Sequence, residues 1–360
     1  MPAADLPVAL VGAGGIASTH AAAFASQPGV RLVAICDIDR EKAAALAARH
    51  PGCQVVADQE AVLASEAAMV SLCTPPFLHA SGARAALAAG KHVVLEKPLA
   101  GSLAEFDDLV LRQDASGKTV VPVLQNRLGD GPRGLRAVLA AGLAGSFMHG
   151  TVETVWRRGS DYYAVPWRGK HATELGGPLT GLAVHVLDLV LGLIPAPQWV
   201  QAHAATLVHP IELEDTAALI AGLTGGGWLT ATVSVHANRE LTRGLLCWQH
   251  LQAEFGDAPY GYSQPRWRIT SSEPLIQAAI DRVLADLPSD PPPSDIDQLW
   301  FRMARIWAAA GRGAVDPAFA LATGRPALEL ISAAYGAART GERVPLPLAK
   351  SHDNYRRLAP

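Results

Sequence analysis

The chain has few cysteines, only four in 360 residues, and no CxxC pair. They are scattered along the sequence at Cys36, Cys53, Cys73 and Cys247. This usage argues against a disulfide framework and against a zinc site, so we expect free thiols and no bound metal. Free thiols are typical of a reducing compartment, and the expected location is cytoplasmic.

Basic charge and long apolar runs are also lacking. The net charge is −3, which excludes the basic footprint of a nucleic-acid-binding protein. No apolar run reaches the roughly 20 residues that a transmembrane helix needs. The N-terminal MPAADLPVALVGAGG has no basic segment and does not read as a signal peptide. We expect neither nucleic acid nor membrane as a partner, and the length predicts two domains because single cores stop growing at roughly 250–300 residues.

A glycine-rich turn follows the first predicted strand, residues 7–11. It fits the pattern G-x-G-x-x-[G/A] with Gly12, Ala13, Gly14, Gly15, Ile16 and Ala17. In this pattern Gly12 permits a tight turn, Gly14 lets the backbone approach a pyrophosphate and Ala17 allows close helix–strand packing. The helix predicted over residues 18–27 would direct its free N–H groups at the phosphates. The turn therefore predicts a dinucleotide site.

An acidic residue, Asp37, ends the second predicted strand, residues 30–36, and Ile38 beside it completes this part of the candidate cofactor site. Asp37 lies about 20 residues beyond the fingerprint, where a ribose-binding acid is expected. Its carboxylate would repel a 2′-phosphate and so favours NAD over NADP, although Arg40 keeps NADP open. Alternatively Asp37 caps the next helix, a role that Asp39 could also fill.

Strands and helices alternate onward, with strands predicted at 54–56, 69–73, 92–95 and 119–124 and helices at 40–50, 77–89 and 103–113. This alternation predicts an α/β domain with a doubly wound parallel sheet. The segments after these strands supply further candidate cofactor ligands, namely Thr74, Pro75, Pro76, His79, Glu96, Lys97 and Gln125. For His79, a capping or packing role is the alternative.

The stretch VVLEKPL, residues 93–99, brings Lys97 to the end of a predicted buried strand. Ligands of open α/β sheets bind outside the carboxyl ends of the strands. A partly buried lysine exchanges a proton readily near neutral pH. We predict that Lys97 lies at a reaction centre between dinucleotide and substrate. The alternative is a surface lysine paired with Glu96.

The second half of the chain has a different pattern. A helix is predicted at 131–144 and strands at 147–157, 199–208, 216–223, 227–236 and 241–247, with helices at 275–287, 295–310 and 326–339. Residues 256–274 are expected to be irregular and 288–294 to form a proline-rich loop. We assign residues 1–126 to a dinucleotide-binding domain and 127–360 to an α+β domain with a large, mainly antiparallel open sheet. Helices would cover one face of this sheet. Because the exposed other face would need a partner, we expect a homo-oligomer, either a dimer or a tetramer.

Two segments of this second half carry candidate substrate ligands. The loop 160–174 holds Tyr163, Trp167 and Arg168, which could stack on a sugar and bind its hydroxyls, or could instead hold the loop together. The apolar helix predicted at 180–193 holds His185 and Asp188 on one face, where a core histidine satisfied by its own aspartate is the alternative. Together with Lys97, the candidate substrate ligands are Arg127, Tyr163, Trp167, Arg168, His185 and Asp188, of which Trp167 and Arg168 are also candidate cofactor ligands.

The segments GAGGIA, CD, TPPFLHA and AGKHVVLEKPLA, with WRG and GG…HxxD further on, resemble the Gfo/Idh/MocA family of inositol dehydrogenase and glucose–fructose oxidoreductase relatives. The resemblance implies an N-terminal Rossmann domain and an NAD(P)-dependent dehydrogenase that oxidises a secondary hydroxyl of a sugar, cyclitol or sugar derivative. It also implies that Lys97 is the catalytic lysine, held by Glu96 and Pro98 with a cis Lys–Pro bond allowed. By the same resemblance His185 points at the substrate hydroxyl and acts with Lys97 as an acid/base group.

One departure from the family pattern concerns the position four residues before His185. Many members have aspartate there, whereas this chain has Gly181. Asp161 or Glu174 could supply the missing acid. The departure keeps two other functions open, a sugar-responsive NAD-binding regulator without catalysis and a redox-neutral hydrolase with tightly held NAD.

Overall fold

The computed structural model describes residues 5–259, 267–288 and 297–358. The chain divides into two compact units. The described part of the first unit comprises residues 5–125 and 297–325, and that of the second comprises 126–259, 267–288 and 326–358.

Alternating strands and helices build the first unit in chain order: β1 Leu6–Val11, α1 Gly15–Ala25, β2 Val30–Cys36, α2 Arg40–Ala47, β3 Gln54–Val55, α3 Gln59–Ala64, β4 Met69–Leu72, α4 His79–Ala88, β5 His92–Leu95, α5 Leu103–Ser116 and β6 Val120–Pro122. All six strands are parallel, in the order β3-β2-β1-β4-β5-β6. The strand order reverses between β1 and β4, and such a switch point is where open α/β sheets bind ligands. The predicted doubly wound sheet is confirmed.

The second unit begins with α6 Asp130–Ala140, β7 Phe147–Arg157, α7 Ser160–Tyr163, α8 His171–Glu174, α9 Pro178–Gly181 and α10 Ala183–Leu191. Its strands continue with β8 Pro197–Ala205, β9 Thr216–Leu223, β10 Trp228–Ser234, β11 His236–Trp248, β12 Gln252–Ala258 and β13 Arg268–Thr270. The later elements of the chain are α11 Pro274–Ala285, α12 Gln298–Gly311, α13 Arg325–Thr340, β14 Val344–Pro345 and α14 Asp353–Arg356.

The second sheet has eight strands in the order β13-β12-β11-β7-β10-β9-β8-β14. Only the β7–β10 pair is parallel among them, so the predicted, mainly antiparallel open sheet is confirmed. On β10, Leu229, Ala231 and Val233 are buried, and α9 and α10 pack against this sheet. The expectation of irregular structure over 256–274 is wrong in part, because β12 extends to Ala258 and β13 lies at 268–270.

The helix α12 belongs to the first unit although its sequence lies in the second half of the chain. Its Trp307 is fully buried and packs against Phe24 of α1, with ring centroids 5.0 Å apart. Gln27 also donates a hydrogen bond from Nε2 to the Phe301 carbonyl (3.4 Å). The predicted division into 1–126 and 127–360 therefore differs from the two observed units at Asn126 and at residues 297–325. The predicted proline-rich loop lies largely outside the described residues.

The apolar segment predicted as one helix over 180–193 is interrupted. The helix α9 ends at Gly181, Leu182 lies between the two segments, and α10 begins at Ala183. Among the described residues no single helix is long and apolar enough to span a membrane, although the bent pair His171–Gly181 and Ala183–Leu191 meets the length and composition criteria.

Candidate functional site

The glycine-rich turn of the first unit forms an open cradle at the switch point. Gly12 has a φ of +95°, and a Cβ built on it would lie 2.6 Å from the Cys73 carbonyl oxygen, so a larger residue does not fit. Cβ atoms at Gly14 and Gly15 would meet no atom within 4 Å. Gly14 is the N-cap of α1, and neither a side-chain cap nor an acidic residue occupies the first turn. Uncapped N–H groups beside open space suit a pyrophosphate.

Asp37 is tied to this cradle. Its Oδ2 accepts a hydrogen bond from the Ala13 backbone N–H (2.6 Å) and its Oδ1 accepts one from Asp39 N–H (2.8 Å). The N-cap of α2 is Asp39, which accepts from the Lys42 N–H (3.2 Å), so the alternative capping role falls to that residue. Ile38 is fully exposed beside Asp37 and offers an apolar surface next to the ribose-binding candidate.

Two buried polar atoms follow strands of the first sheet, one after β4 at the switch point and one after β6 at the sheet edge. Thr74 Oγ1 and Gln125 Oε1 have no hydrogen-bond partner among the described residues. Buried polar groups are normally paired, so these atoms suit a polar ligand. Pro75 is extended and precedes a short 3-10 turn that begins at Pro76. The open glycine-rich turn and these two unpaired polar atoms together fit the binding of NAD.

His79 does not face an open cleft. It is 1% exposed, with Nδ1 2.7 Å from the Pro98 carbonyl oxygen and Nε2 2.9 Å from that of Thr74. Burial lowers the pKa of this ring. His79 therefore links the end of β4 to the segment after β5, which is the packing role that the sequence left open, and its assignment as a cofactor ligand gains no support.

Lys97 follows β5 at the carboxyl edge of the sheet and is half-buried. Its backbone N–H donates to Glu96 Oε2 (3.1 Å), and the Lys97–Pro98 peptide is cis. Glu96 is 7% exposed, and its side chain lies inside the first unit, where Oε1 is 3.0 Å from His20 Nε2. Glu96 therefore contributes through the placement of Lys97, and a direct cofactor contact by its carboxylate gains no support.

In the second unit, Asp188 forms an ion pair with Arg127. The guanidinium donates from Nε to Oδ2 (2.8 Å) and from NH2 to Oδ1 (2.5 Å). Burial raises the pKa of Asp188, while Arg127 opposes that shift. The two predicted substrate ligands thus bind each other. The partner of the Asp188 carboxylate is Arg127, and not His185 as the alternative in the sequence analysis had it. His185 itself is half-buried on α10.

The loop 160–174 is held together by its own side chains. The Arg168 guanidinium lies 3.7 Å from the Tyr162 ring centroid, 4.2 Å from that of Trp167, and donates to Glu174 Oε1 (3.0 Å). Tyr163 packs edge-on against Tyr162, with centroids 5.1 Å apart. These contacts support the alternative in which the aromatic and basic residues brace the loop.

A cavity of the second unit adjoins this loop. Tyr162, Tyr163, Glu174 and Gly181 are among the residues that line it. A Cβ at Gly181 would meet no atom within 4 Å, so the missing aspartate leaves open space. Of the two candidate replacement acids only Glu174 lines this cavity. Both Glu174 oxygens are engaged within the loop, by Arg168 and by the Gly169 N–H (2.6 Å).

Sequence reasoning missed two buried groups that support these sites. His20 contacts Glu96 within the first unit, and its only sequence signal was a polar residue in an alanine-rich helix. Glu214 accepts hydrogen bonds from the backbone of the Gly176-Gly177 turn region and from Tyr335. Its signal was an acidic pair directly before β9.

The comparisons with known proteins agree with both units. Residues 6–123 match the family model described as "Oxidoreductase family, NAD-binding Rossmann fold", and residues 133–272 match the "GFO/IDH/MocA C-terminal domain". The chain belongs to the Gfo/Idh/MocA oxidoreductase family. Its N-terminal match describes an NAD-binding Rossmann fold.

Three relatives illustrate the range of the family. The chain is 30% identical over 208 residues to D-glucoside 3-dehydrogenase of Escherichia coli, covering 57% of this chain and 59% of the relative. It is 32% identical over 187 residues to a glycosyl hydrolase family 109 protein of Streptomyces niveus, covering 48% and 38%. The crystal structure of the WlbA dehydrogenase from Bordetella pertussis in complex with NADH and UDP-GlcNAcA is 27% identical, with a TM-score of 0.83 over 97% of this chain and 100% of that one. The chain thus spans 59% and 38% of the length of the two curated relatives, D-glucoside 3-dehydrogenase and the family 109 protein.

Proposed function

We propose that this protein is an NAD-dependent dehydrogenase that oxidises a secondary hydroxyl of a sugar, cyclitol or sugar derivative. The observation that carries the proposal is Lys97 at the carboxyl edge of the same sheet whose switch point holds the open glycine cradle. NAD, when bound, supplies the hydride acceptor. Lys97 Nζ takes the proton of the substrate hydroxyl and returns it in the reverse reaction, and His185 assists as the second acid/base group.

Asp37 determines the cofactor preference in this proposal. Its carboxylate lies against the cradle through Ala13, where it would accept hydrogen bonds from ribose hydroxyls and repel a 2′-phosphate. Together with Ile38, the cradle residues 12–17, Thr74-Pro75-Pro76 and Gln125, it forms the cofactor site. Lys97 in the first unit and His185 in the second are the proposed acid/base residues, and the cavity beside Tyr163 is the candidate substrate pocket of the second unit.

The test is NADH formation at 340 nm across glucosides, cyclitols and nucleotide-linked uronic acids, with NAD and NADP in parallel. We expect turnover with one of these classes and a clear preference for NAD. The glucoside and UDP-GlcNAcA named for two relatives make pyranose rings the first class to assay. Preference for NADP would contradict the role of Asp37, and no turnover with any class despite measured NAD binding would contradict the dehydrogenase.

A redox-neutral hydrolase with tightly held NAD is the second candidate, and the similarity to a glycosyl hydrolase family 109 protein favours it. A hydrolase that regenerates its cofactor in each cycle would retain NAD through purification. Release of stoichiometric NAD on denaturation, with cleavage of a nitrophenyl glycoside and no net NADH, would select this candidate.

We also propose that a second copy of the chain covers the outer face of the eight-stranded sheet. Trp228 is 47% exposed and stacks with His149 on the neighbouring strand, with ring centroids 5.7 Å apart. Ile220, on the opposite neighbour, points to the same side and is 37% exposed. Exposed apolar clusters on a sheet face mark interaction sites.

Light scattering of the wild-type protein should give the mass of a dimer or tetramer. Trp228→Glu should shift the population towards monomer, and a monomeric wild type would refute the proposal.

A further inference from the structure

His20 forms the centre of a buried polar cluster in the first unit. Its side chain is fully buried on α1. Nδ1 lies 2.8 Å from Ser71 Oγ and 3.5 Å from Cys73 Sγ, and Nε2 lies 3.0 Å from Glu96 Oε1. An imidazole is costly to bury unless its polar atoms are paired. Here both nitrogens are paired, and one partner is a carboxylate.

The indole rings of α12 enclose this cluster. The His20 ring centroid is 4.7 Å from that of Trp307 and 5.4 Å from that of Trp300. Indole rings exclude water and attract a cationic ring through their π-faces. The two indole rings of α12 thus form part of the surroundings in which the His20 ring is fully buried.

Glu96 connects the cluster to the proposed reaction centre. One oxygen contacts His20, and the other accepts the hydrogen bond from the Lys97 backbone N–H. His79 holds the following residue on the other side, through the Pro98 carbonyl oxygen. The backbone on both sides of the Lys97 side chain is therefore anchored by buried histidines.

We propose that His20 is a positioning residue: it fixes the Glu96 carboxylate inside the first unit and compensates its charge, so that Glu96 anchors Lys97 without stabilising the protonated form of the Lys97 amine. The inference rests on the proposed function of Lys97. Without His20 the Glu96 carboxylate would be a buried, uncompensated anion one residue from Lys97, and a nearby opposite charge favours the charged form of a lysine.

The titratable groups around His20 support a cationic ring. Burial by itself would lower the pKa of His20, but Cys73 and Glu96 outweigh burial and raise the pKa to about 10. Cys73 faces the ring from the segment after β4, and Glu96 from the segment after β5. From α12 the rings of Trp300 and Trp307 face His20.

The test measures the pKa of the Lys97 amine directly, by competitive labelling of the full-length protein with acetic anhydride and mass spectrometry across pH. His20→Gln keeps a donor for Glu96 but removes the positive charge, so the Lys97 pKa should rise by about one unit. Glu96→Gln removes the carboxylate partner that favours the protonated His20 ring, so both charges are lost together and the Lys97 pKa should stay near its wild-type value. A rise in His20→Gln without a rise in Glu96→Gln is not expected from a merely structural defect.

His92→Gln is the matched control, because His92 is a half-buried histidine at the start of β5 whose Nδ1 accepts from the Thr119 N–H (3.2 Å). It should leave the labelling curve of Lys97 unchanged. If His20→Gln does not fold, His20→Asn replaces it, because its side chain is also neutral and polar. An unshifted curve in the folded His20 variant, or an equal rise in Glu96→Gln, would overturn the role of His20, whereas a shifted curve in a protein without dehydrogenase turnover would refute the proposed function alone.

Discussion

Replacing Lys97 with alanine is expected to reduce kcat by about 100- to 10,000-fold, the range contributed by a general acid–base group. NAD affinity should stay near that of the wild type, because the cradle at Gly12 and Gly14 and the carboxylate of Asp37 lie on other segments of the first unit. The measurement pairs steady-state kinetics on the best substrate of the panel with calorimetric titration of NAD.

The variant Lys97→Arg distinguishes a lysine that transfers a proton from one that only supplies a positive charge. Arginine keeps a positive charge but does not lose its proton in proteins, so this variant should be as inactive as alanine if Lys97 is the base. If Lys97 only binds an anionic substrate group, Lys97→Arg should recover most of the activity. Lys350→Ala is the control, since that exposed lysine lies in the second unit and its loss should not alter kcat. Full turnover by Lys97→Ala would exclude the acid/base role.

The local elements of the fold were predictable because their signals lie within a few residues of sequence. The strands Val30–Cys36, His92–Leu95 and Phe147–Arg157 have the predicted bounds. Continuous apolar runs mark the first two as buried parallel strands, and alternation marks the third as a strand with one exposed face. The glycine fingerprint and Lys97 were predictable for the same reason, as each follows directly from a strand end.

Interruptions and long-range pairs were not predictable in this way. The run TGLAVHVLDLVLGL is apolar enough for one helix, and nothing in its periodicity marks the break at Leu182. His20 and Glu96 are 76 residues apart in sequence, and Arg127 and Asp188 are 61 apart. Each partner taken alone has several plausible roles. Only the packing of distant elements decides between them, which also explains why α12 was assigned to the second domain.

Replacing Glu214 with alanine is expected to lower the free energy of unfolding. Its Oε2 accepts from the Gly177 N–H (3.1 Å), and its Oε1 accepts from the Leu179 N–H (3.1 Å) and the Tyr335 hydroxyl (2.8 Å). It therefore fixes the start of α9, the short helix that leads into α10 and His185. Glu214→Ala would leave the Gly177 and Leu179 N–H groups without this acceptor, while the Tyr335 hydroxyl keeps Thr180 Oγ1 (3.0 Å) as a partner. The cost is about 1–3 kcal/mol for each buried donor that water does not reach. Urea unfolding should show a loss of about 3 kcal/mol or more.

The same carboxyl should make stability depend on pH. Burial raises the pKa of Glu214 from 4.5 to about 7, although its hydrogen-bond donors oppose the shift. Because the folded-state pKa is raised, this contribution to stability is fully present below pH 4.5 and is lost as the pH rises through about 7. The shift corresponds to about 3 kcal/mol of unfolding free energy between pH 4 and pH 8.

Glu214→Gln removes this titrating carboxyl. The free energy of unfolding should therefore depend less on pH between pH 4 and pH 8, even if the variant is less stable at every pH. Glu212→Gln is the matched control, because Glu212 lies two residues away, is exposed, and accepts a surface hydrogen bond from the His171 N–H (3.0 Å). It should retain the wild-type slope. His20, with a pKa raised to about 10, adds a loss of stability in the range above pH 6.5, so the flattening attributable to Glu214 must appear mainly below pH 7. A Glu214→Gln profile parallel to the wild type in that range would show that the Glu214 carboxyl is ionised throughout, and that its three donors outweigh its burial.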